Sequence, residues 1–338
     1  MQKKIALAGL VLLLISSASC RRDQYRVNIS GIDKDIEIMR LEKDIFSIAP
    51  GEEADAVPYL RDKYGEFLQL FSNVINTGDV NDDKWEGYLH SFITDRMVWD
   101  AYQRVSSQFE DISDIENQLS LAFRHYLWHF PDRVVPGVFT CITGFNNSII
   151  VADTIIGISL DRYLGADTDF YGMMGIYSYL ARRMDRQFIV PDCMYAWGST
   201  EWDYHLMDYG VENLISRMLH EGKLYYFMRS MMPDTEENII FGFTPDQMKF
   251  CRNNEDLMWG YLVEHDMLFT TDQFTIRKLV GEAPFTTYFT RESPGKAALW
   301  IGFRMVEQYM RRNPSVTLPE LMEITDYQKI LSGGRYDP

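Results

Sequence analysis

The sequence predicts an α+β protein, predominantly helical, with a small antiparallel sheet at its centre. Three observations lead there. Apolar residues recur at helical spacing over long stretches, as at Leu89, Ile93, Met97 and Ala101. A single stretch between Val138 and Leu160 is instead rich in β-branched residues and punctuated by turn formers. A hydrophobic content of 46% with 14% aromatic residues suits a well-filled core.

The first element is a leader. Lys3 and Lys4 precede an apolar run from Ile5 to Ile15, and Ser16-Ser17-Ala18-Ser19 leads into Cys20. That is the layout of a bacterial export signal, and the run is too short to span a membrane as a helix. Small residues before a cysteine suit lipoprotein processing, which would leave Cys20 as an N-terminus carrying acyl lipid such as palmitate. Ser17-Ala18-Ser19 also fits ordinary signal cleavage. The expected organisation is a lipoprotein signal peptide over 1–19, a short polar tether over 20–30, and one globular domain over 31–338.

Within the domain, Ile36 to Leu41 alternates like a strand, and a helical pattern follows from about Glu42. The segment from Asp82 to His129 is helical in pattern, its second run marked by Ile115, Leu119, Ala122 and Tyr126, until Pro131 and Pro136 break the chain. Val138–Thr143, Ser148–Val151 and Ile155–Leu160 read as three strands of a meander, with Gly144-Phe145-Asn146-Asn147 and Ala152-Asp153-Thr154 as turns. Helices return over 210–230, 245–263, 272–280 and 295–312. Ser293 suits the N-cap of the last of these, with Pro294 at its first helical position.

Charge narrows the partners. The whole chain carries 33 Lys and Arg against 49 Asp and Glu, a formal net charge of −16, and loss of Lys3 and Lys4 with the leader takes this to −18. Such a surface repels phosphate backbones, so no nucleic-acid partner is expected. It also disfavours electrostatic attachment to anionic lipid, leaving lipid on Cys20 as the membrane anchor. Besides Cys20 the chain has Cys141, Cys193 and Cys251, without CxxC spacing, which reads as buried free thiols.

Two places resemble metal sites. His125 and His129 stand at i and i+4, where a helix puts both imidazoles on one face, but no further ligand or general base accompanies them. His220-Glu221 lies in an amphipathic helix whose apolar face holds Leu214, Met218 and Tyr225. A zincin helix carries His-Glu and, three residues later, a second zinc-binding His, the Glu activating the attacking water. Position 224 here is Leu, so the second ligand is missing. Glu255, 34 residues beyond Glu221, stands at a plausible distance for a third ligand. His220 with Glu255 still makes two ligands, one short of a catalytic zinc set. No nucleophile elbow, phosphate-binding loop or dinucleotide fingerprint is present. The expectation is no resident cofactor and no catalysis. A zinc metallopeptidase using His220, Glu221 and Glu255 is one alternative, and a glycan- or peptide-binding module the other.

A family resemblance enters through the C-terminal half. Its blocks are Ile158 to Gly165, Leu214 to Tyr225 with Gly222-Lys223, Gly242-Phe243-Thr244, Asn254-Glu255 with Trp259, and Phe269 to Asp272. The strongest are Ala283-Pro284-Phe285-Thr286-Thr287-Tyr288-Phe289, Glu292-Ser293-Pro294-Gly295 and Trp300-Ile301-Gly302. Together these resemble the gliding-motility lipoprotein family GldB of the Bacteroidetes. The resemblance implies a zincin-like fold related to predicted zinc-dependent proteases, with the metal pattern lost. It also implies a lipoprotein of the cell envelope; Arg21-Arg22-Asp23, without an Asp directly after Cys20 or an acidic cluster, suits the periplasmic side of the outer membrane. There it would act with envelope protein partners in gliding motility or functions linked to type IX secretion.

Overall fold

The computed structural model describes residues 24–338. The leader, Cys20 and the first part of the expected tether lie outside the described residues. Tyr25, within that tether, is buried: its ring stands 5.0 Å from that of Tyr226, and its hydroxyl donates to Glu307 at 3.1 Å. Packing on the domain therefore begins ahead of residue 31.

Strand β1 (Ile38–Arg40) runs directly into the short helix α1 (Leu41–Ile45). Helix α2 (Glu53–Val74) is interrupted at Gly65, which takes φ +49° and ψ −127°. Helices α3 (Trp85–Ile93), α4 (Arg96–Gln108) and α5 (Ser113–His129) occupy the segment whose periodicity is helical. Asp95 starts α4, its carboxylate accepting from the Val98 N–H at 3.0 Å.

The sheet follows with β2 (Gly137–Cys141), β3 (Ile149–Ala152) and β4 (Ile155–Ser159). Its order is β1-β2-β4-β3; β1 and β4 both pair with β2 in parallel, and only β3 and β4 are antiparallel. The expected antiparallel meander is thus corrected to a mixed four-stranded sheet. Burial explains the order. Every residue of β4 is buried and it takes an interior position, whereas β3 is half-exposed and takes an edge. Helix α2 packs on β4 so closely that a Cβ on Gly157 would meet the Phe67 ring at 2.4 Å.

After β4 the chain turns in a 3₁₀ segment, Leu160–Tyr163. There the buried Asp161 carboxylate accepts the N–H of Phe145 at 2.6 Å and of Thr143 at 3.3 Å, holding a turn in which Phe145 has φ +65°. Burial raises the Asp161 pKa to about 6.

The C-terminal half is helical: α6 (Asp169–Met173), α7 (Ser178–Ala181), α8 (Ile189–Glu201), α9 (Leu214–Met231), α10 (Glu237–Phe241), α11 (Pro245–Asn253), α12 (Glu255–Glu264), α13 (Gln273–Val280), α14 (Ala297–Arg312), α15 (Leu318–Met322) and α16 (Tyr327–Gly334). The single helix expected over 245–263 is two helices. They meet at Asn254, whose side-chain amide donates to the Phe250 carbonyl at 2.8 Å and ends α11. Helices make up 55% of the described residues, so the class is α+β as expected.

Helix α9 is the axis of this half and packs most extensively on α14, with α8, α5 and α15 around it. Buried side chains surround it on all sides, His220 and Lys223 among them. The amphipathic helix expected here is therefore a central one, and helices with no solvated face belong inside a core. Cys141, Cys193 and Cys251 are buried free thiols.

Candidate functional site

Helix α9 begins with a reciprocal cap. The Asn213 side chain accepts from the Ser216 N–H at 3.0 Å, and the Ser216 hydroxyl accepts from the Asn213 N–H at 3.1 Å. Consecutive residues of a helix point roughly 100° apart, so His220 and Glu221 leave α9 toward different neighbours. His220 faces Tyr204 and Tyr209; its Nδ1 stands 2.9 Å from the Tyr209 hydroxyl, and both rings meet it edge-on. Burial, reinforced by Lys223, pushes its pKa down to about 3. The imidazole is neutral and enclosed.

Glu221 turns instead into a cavity of about 200 Å³ lined by Arg183, Tyr195, Tyr225, Glu282 and Lys296. The Tyr195 hydroxyl donates to Glu221 at 2.9 Å. Burial raises the Glu221 pKa above the ordinary carboxylate range. Arg183 donates to Asp192 and to Glu282, both at 3.0 Å, and Lys296 donates to Glu282 at 2.6 Å. Burial opposes the Arg183 charge, but Asp192 and Glu282 outweigh it and raise its pKa. The same two cations overcome burial at Glu282 and lower its pKa. Asp192 also takes the Tyr163 hydroxyl at 2.9 Å, yet burial dominates and raises its pKa.

The block rich in Pro and Thr joins two residues of the cavity lining, Glu282 and Lys296. Thr286 donates through its N–H and its hydroxyl to the Pro294 carbonyl, at 2.9 and 2.8 Å, and the Ala297 N–H returns to Thr286 Oγ1 at 3.0 Å. A Cβ on Gly295 would meet the Ala283 carbonyl oxygen at 2.1 Å, so the loop closes only over glycine. This closure sets Glu282 beside Lys296. The expected helix start is corrected: Ser293 is not the N-cap of α14. Its hydroxyl instead donates to the Thr290 carbonyl at 2.6 Å and accepts from the Thr286 N–H at 3.1 Å. The helix begins after Lys296, which holds φ +52°. Loop closure claims Ser293 before a helix can.

Glu255 lies elsewhere, at the start of α12, accepting from Arg304 Nε at 3.0 Å and from the Tyr336 hydroxyl at 2.7 Å. His220, Glu221 and Glu255, aligned in sequence as candidate zinc-site residues, therefore stand in three environments and share no partner. His125 and His129 are both on α5, where His125 Nδ1 and His129 Nε2 are buried without a hydrogen-bond partner. Burial lowers both pKa values, that of His129 to about 4. Among the described residues, no group of three or more His, Cys, Asp or Glu side chains is placed to hold a metal ion.

Sequence reasoning missed Arg183, Tyr195, Tyr225 and the Glu282–Lys296 pair. A signal existed for the pair: Glu282 and Lys296 are the charged residues flanking the block from Ala283 to Gly295.

Fold and site together define a mostly helical α+β protein whose central helix presents a carboxylate to an ion-paired cavity, with no described helix long and apolar enough to cross a membrane. The family model described as gliding motility protein GldB matches residues 22–338, and the chain belongs to that family. No curated protein and no solved structure matches it.

Proposed function

We propose that this chain is an envelope lipoprotein, anchored by lipid on Cys20 and facing the periplasm from the outer membrane. It acts there by protein contact, without catalysis, in gliding motility or in envelope functions linked to type IX secretion. Membership in the GldB family supports the setting. One observation carries the non-catalytic reading: His220, Glu221 and Glu255 are each engaged by different partners, Tyr209, Tyr195 and the Arg304–Tyr336 pair. A zincin-derived central helix that has lost its metal is part of this proposal, with Leu224 where the second histidine would stand.

Contact is supported by exposed apolar side chains on two joined segments. Leu206 and Val211 precede α9, and Phe269 and Phe274 lie on the segment whose Leu268 and Thr270 carbonyls accept from the first N–H groups of α9. Intact-mass spectrometry of protein purified from membranes tests the anchor. The proposal expects an acyl-bearing Cys20 at the mature N-terminus, lost in Cys20→Ala together with membrane retention. A mature chain of unmodified mass, still retained in Cys20→Ala, contradicts it.

A further inference from the structure

We propose that the cavity beside Glu221 is a binding site for a small organic ammonium, held by the Glu221 carboxylate and the Tyr225 hydroxyl. The inference is independent of the anchor and of the contact surface.

Charge pairing inside the cavity is incomplete. Arg183 pairs through its two terminal nitrogens with Asp192 and Glu282, its buried Nε lacking a partner, and Lys296 pairs with Glu282. Of the two carboxylates in the lining, Glu221 is the one without an ion-pair partner, its single hydrogen bond coming from the Tyr195 phenol. Arg217, one turn earlier on α9, stacks its guanidinium on the Tyr204 ring at 4.1 Å and forms no ion pair with Glu221. Glu221 is half-buried, and a carboxylate partly withdrawn from water without a cation favours a ligand that supplies one.

The second observation is Tyr225. It is 3% exposed, lines the same cavity and forms no hydrogen bond within the protein, although Glu221, Glu282, Lys296 and Arg183 all lie close enough to influence its ionisation. The Tyr225 ring is buried and its residue lines the cavity, so its hydroxyl is available to a ligand's hydrogen bond. An ammonium group carries several N–H donors and no acceptor, so it can serve the open Glu221 oxygen and the Tyr225 oxygen together. An anion would meet Glu221 as a like charge, and Lys296 is already neutralised by Glu282.

Met228, Ile240, Val280 and Leu299 complete the lining with apolar surface suited to a short aliphatic body. About 200 Å³ corresponds to roughly six water volumes, hence a ligand on the order of six non-hydrogen atoms.

The test is isothermal titration of the full-length chain in detergent with n-butylammonium, butyrate and 1-butanol, three probes of one size and different charge. Butylammonium is expected to bind with a Kd of about 1 mM or tighter. Glu221→Gln keeps an acceptor for Tyr195 while removing the charge, and should weaken binding about tenfold or more. Tyr225→Phe removes one hydrogen bond and should weaken it about fivefold. Thermal melts matching wild type show that both variants are folded. Butyrate or 1-butanol binding as tightly as butylammonium, wild-type affinity in Glu221→Gln, or no binding of butylammonium would each overturn the proposal.

Discussion

Gly302 lies against α9 so closely that a Cβ on it would meet the carbonyl oxygen of Met218 at 1.9 Å. The contact is reciprocal, since a Cβ on Gly222 would meet the carbonyl carbon and oxygen of Gly302 at 2.5 Å. Helices α9 and α14 cross backbone to backbone at these glycines. That crossing fixes where α9 sends His220 on one side and Glu221 on the other.

Gly302→Ala must push the two helices apart, because backbone cannot rotate away as a side chain can. The expected loss is about 3 kcal/mol, at the upper end of overpacking costs. Urea unfolding checks it, and a loss smaller than about 1 kcal/mol would show that the helices separate easily.

Lys223 predicts a pH dependence of opposite sense to that of a lysine paired with a carboxylate. Its ammonium is buried and donates to the carbonyls of Met322 and Ile324 at 2.9 and 2.7 Å, at the end of α15. Burial lowers its pKa to about 7 from an ordinary 10.5. Below pH 7 both states carry the proton and the full burial penalty stands. Between these values the unfolded chain keeps a proton the folded chain has lost, so stability rises with pH, by at most about 1.4 kcal/mol per unit. Lys223→Met should flatten that rise in urea titrations at about pH 7 and about pH 9.

His220 gives the acid-side counterpart. Its pKa falls to about 3 from 6.5, so between those values the unfolded state binds the extra proton and the His220 contribution falls as pH is lowered. Above pH 6.5 both states are neutral and the group contributes no slope. Nuclear magnetic resonance of the imidazole should show no titration above about pH 4. A midpoint near 6.5 would mean that the ring is not enclosed.

Asp161→Ala should be among the most damaging changes outside α9. It strips the Thr143 and Phe145 N–H groups of their buried acceptor at a turn with positive φ. Each lost partner costs about 1–3 kcal/mol, giving a combined loss of about 2–6 kcal/mol by chemical denaturation. Asp161→Asn, which keeps an acceptor oxygen, should recover part of it.

Much of the local structure was legible because it depends on local pattern. The alternation at Ile36–Leu41 and the β-branched runs found the strands, and Thr244-Pro245 marks a helix start that the Thr244–Gln247 capping box confirms. Sheet order was not legible, since β1 and β2 pair across the whole of α1 to α5. The cavity was hidden for the same reason: Arg183, Glu221 and Glu282 are brought together only by tertiary packing. Glu221 itself was found by its neighbour His220, through a motif that the fold divides between two environments. Ser293 shows the limit of capping rules. Its sequence context suits an N-cap, but a loop closing through Thr286 and Pro294 uses its hydroxyl first.

Metal analysis tests the central claim, that the His220–Glu221 helix does not serve a zinc site, most directly. Protein purified in zinc-containing buffer, then dialysed, is measured for bound metal beside His220→Ala. The account predicts far less than one zinc per chain in both. One zinc per chain in the wild type, lost in His220→Ala, would contradict it.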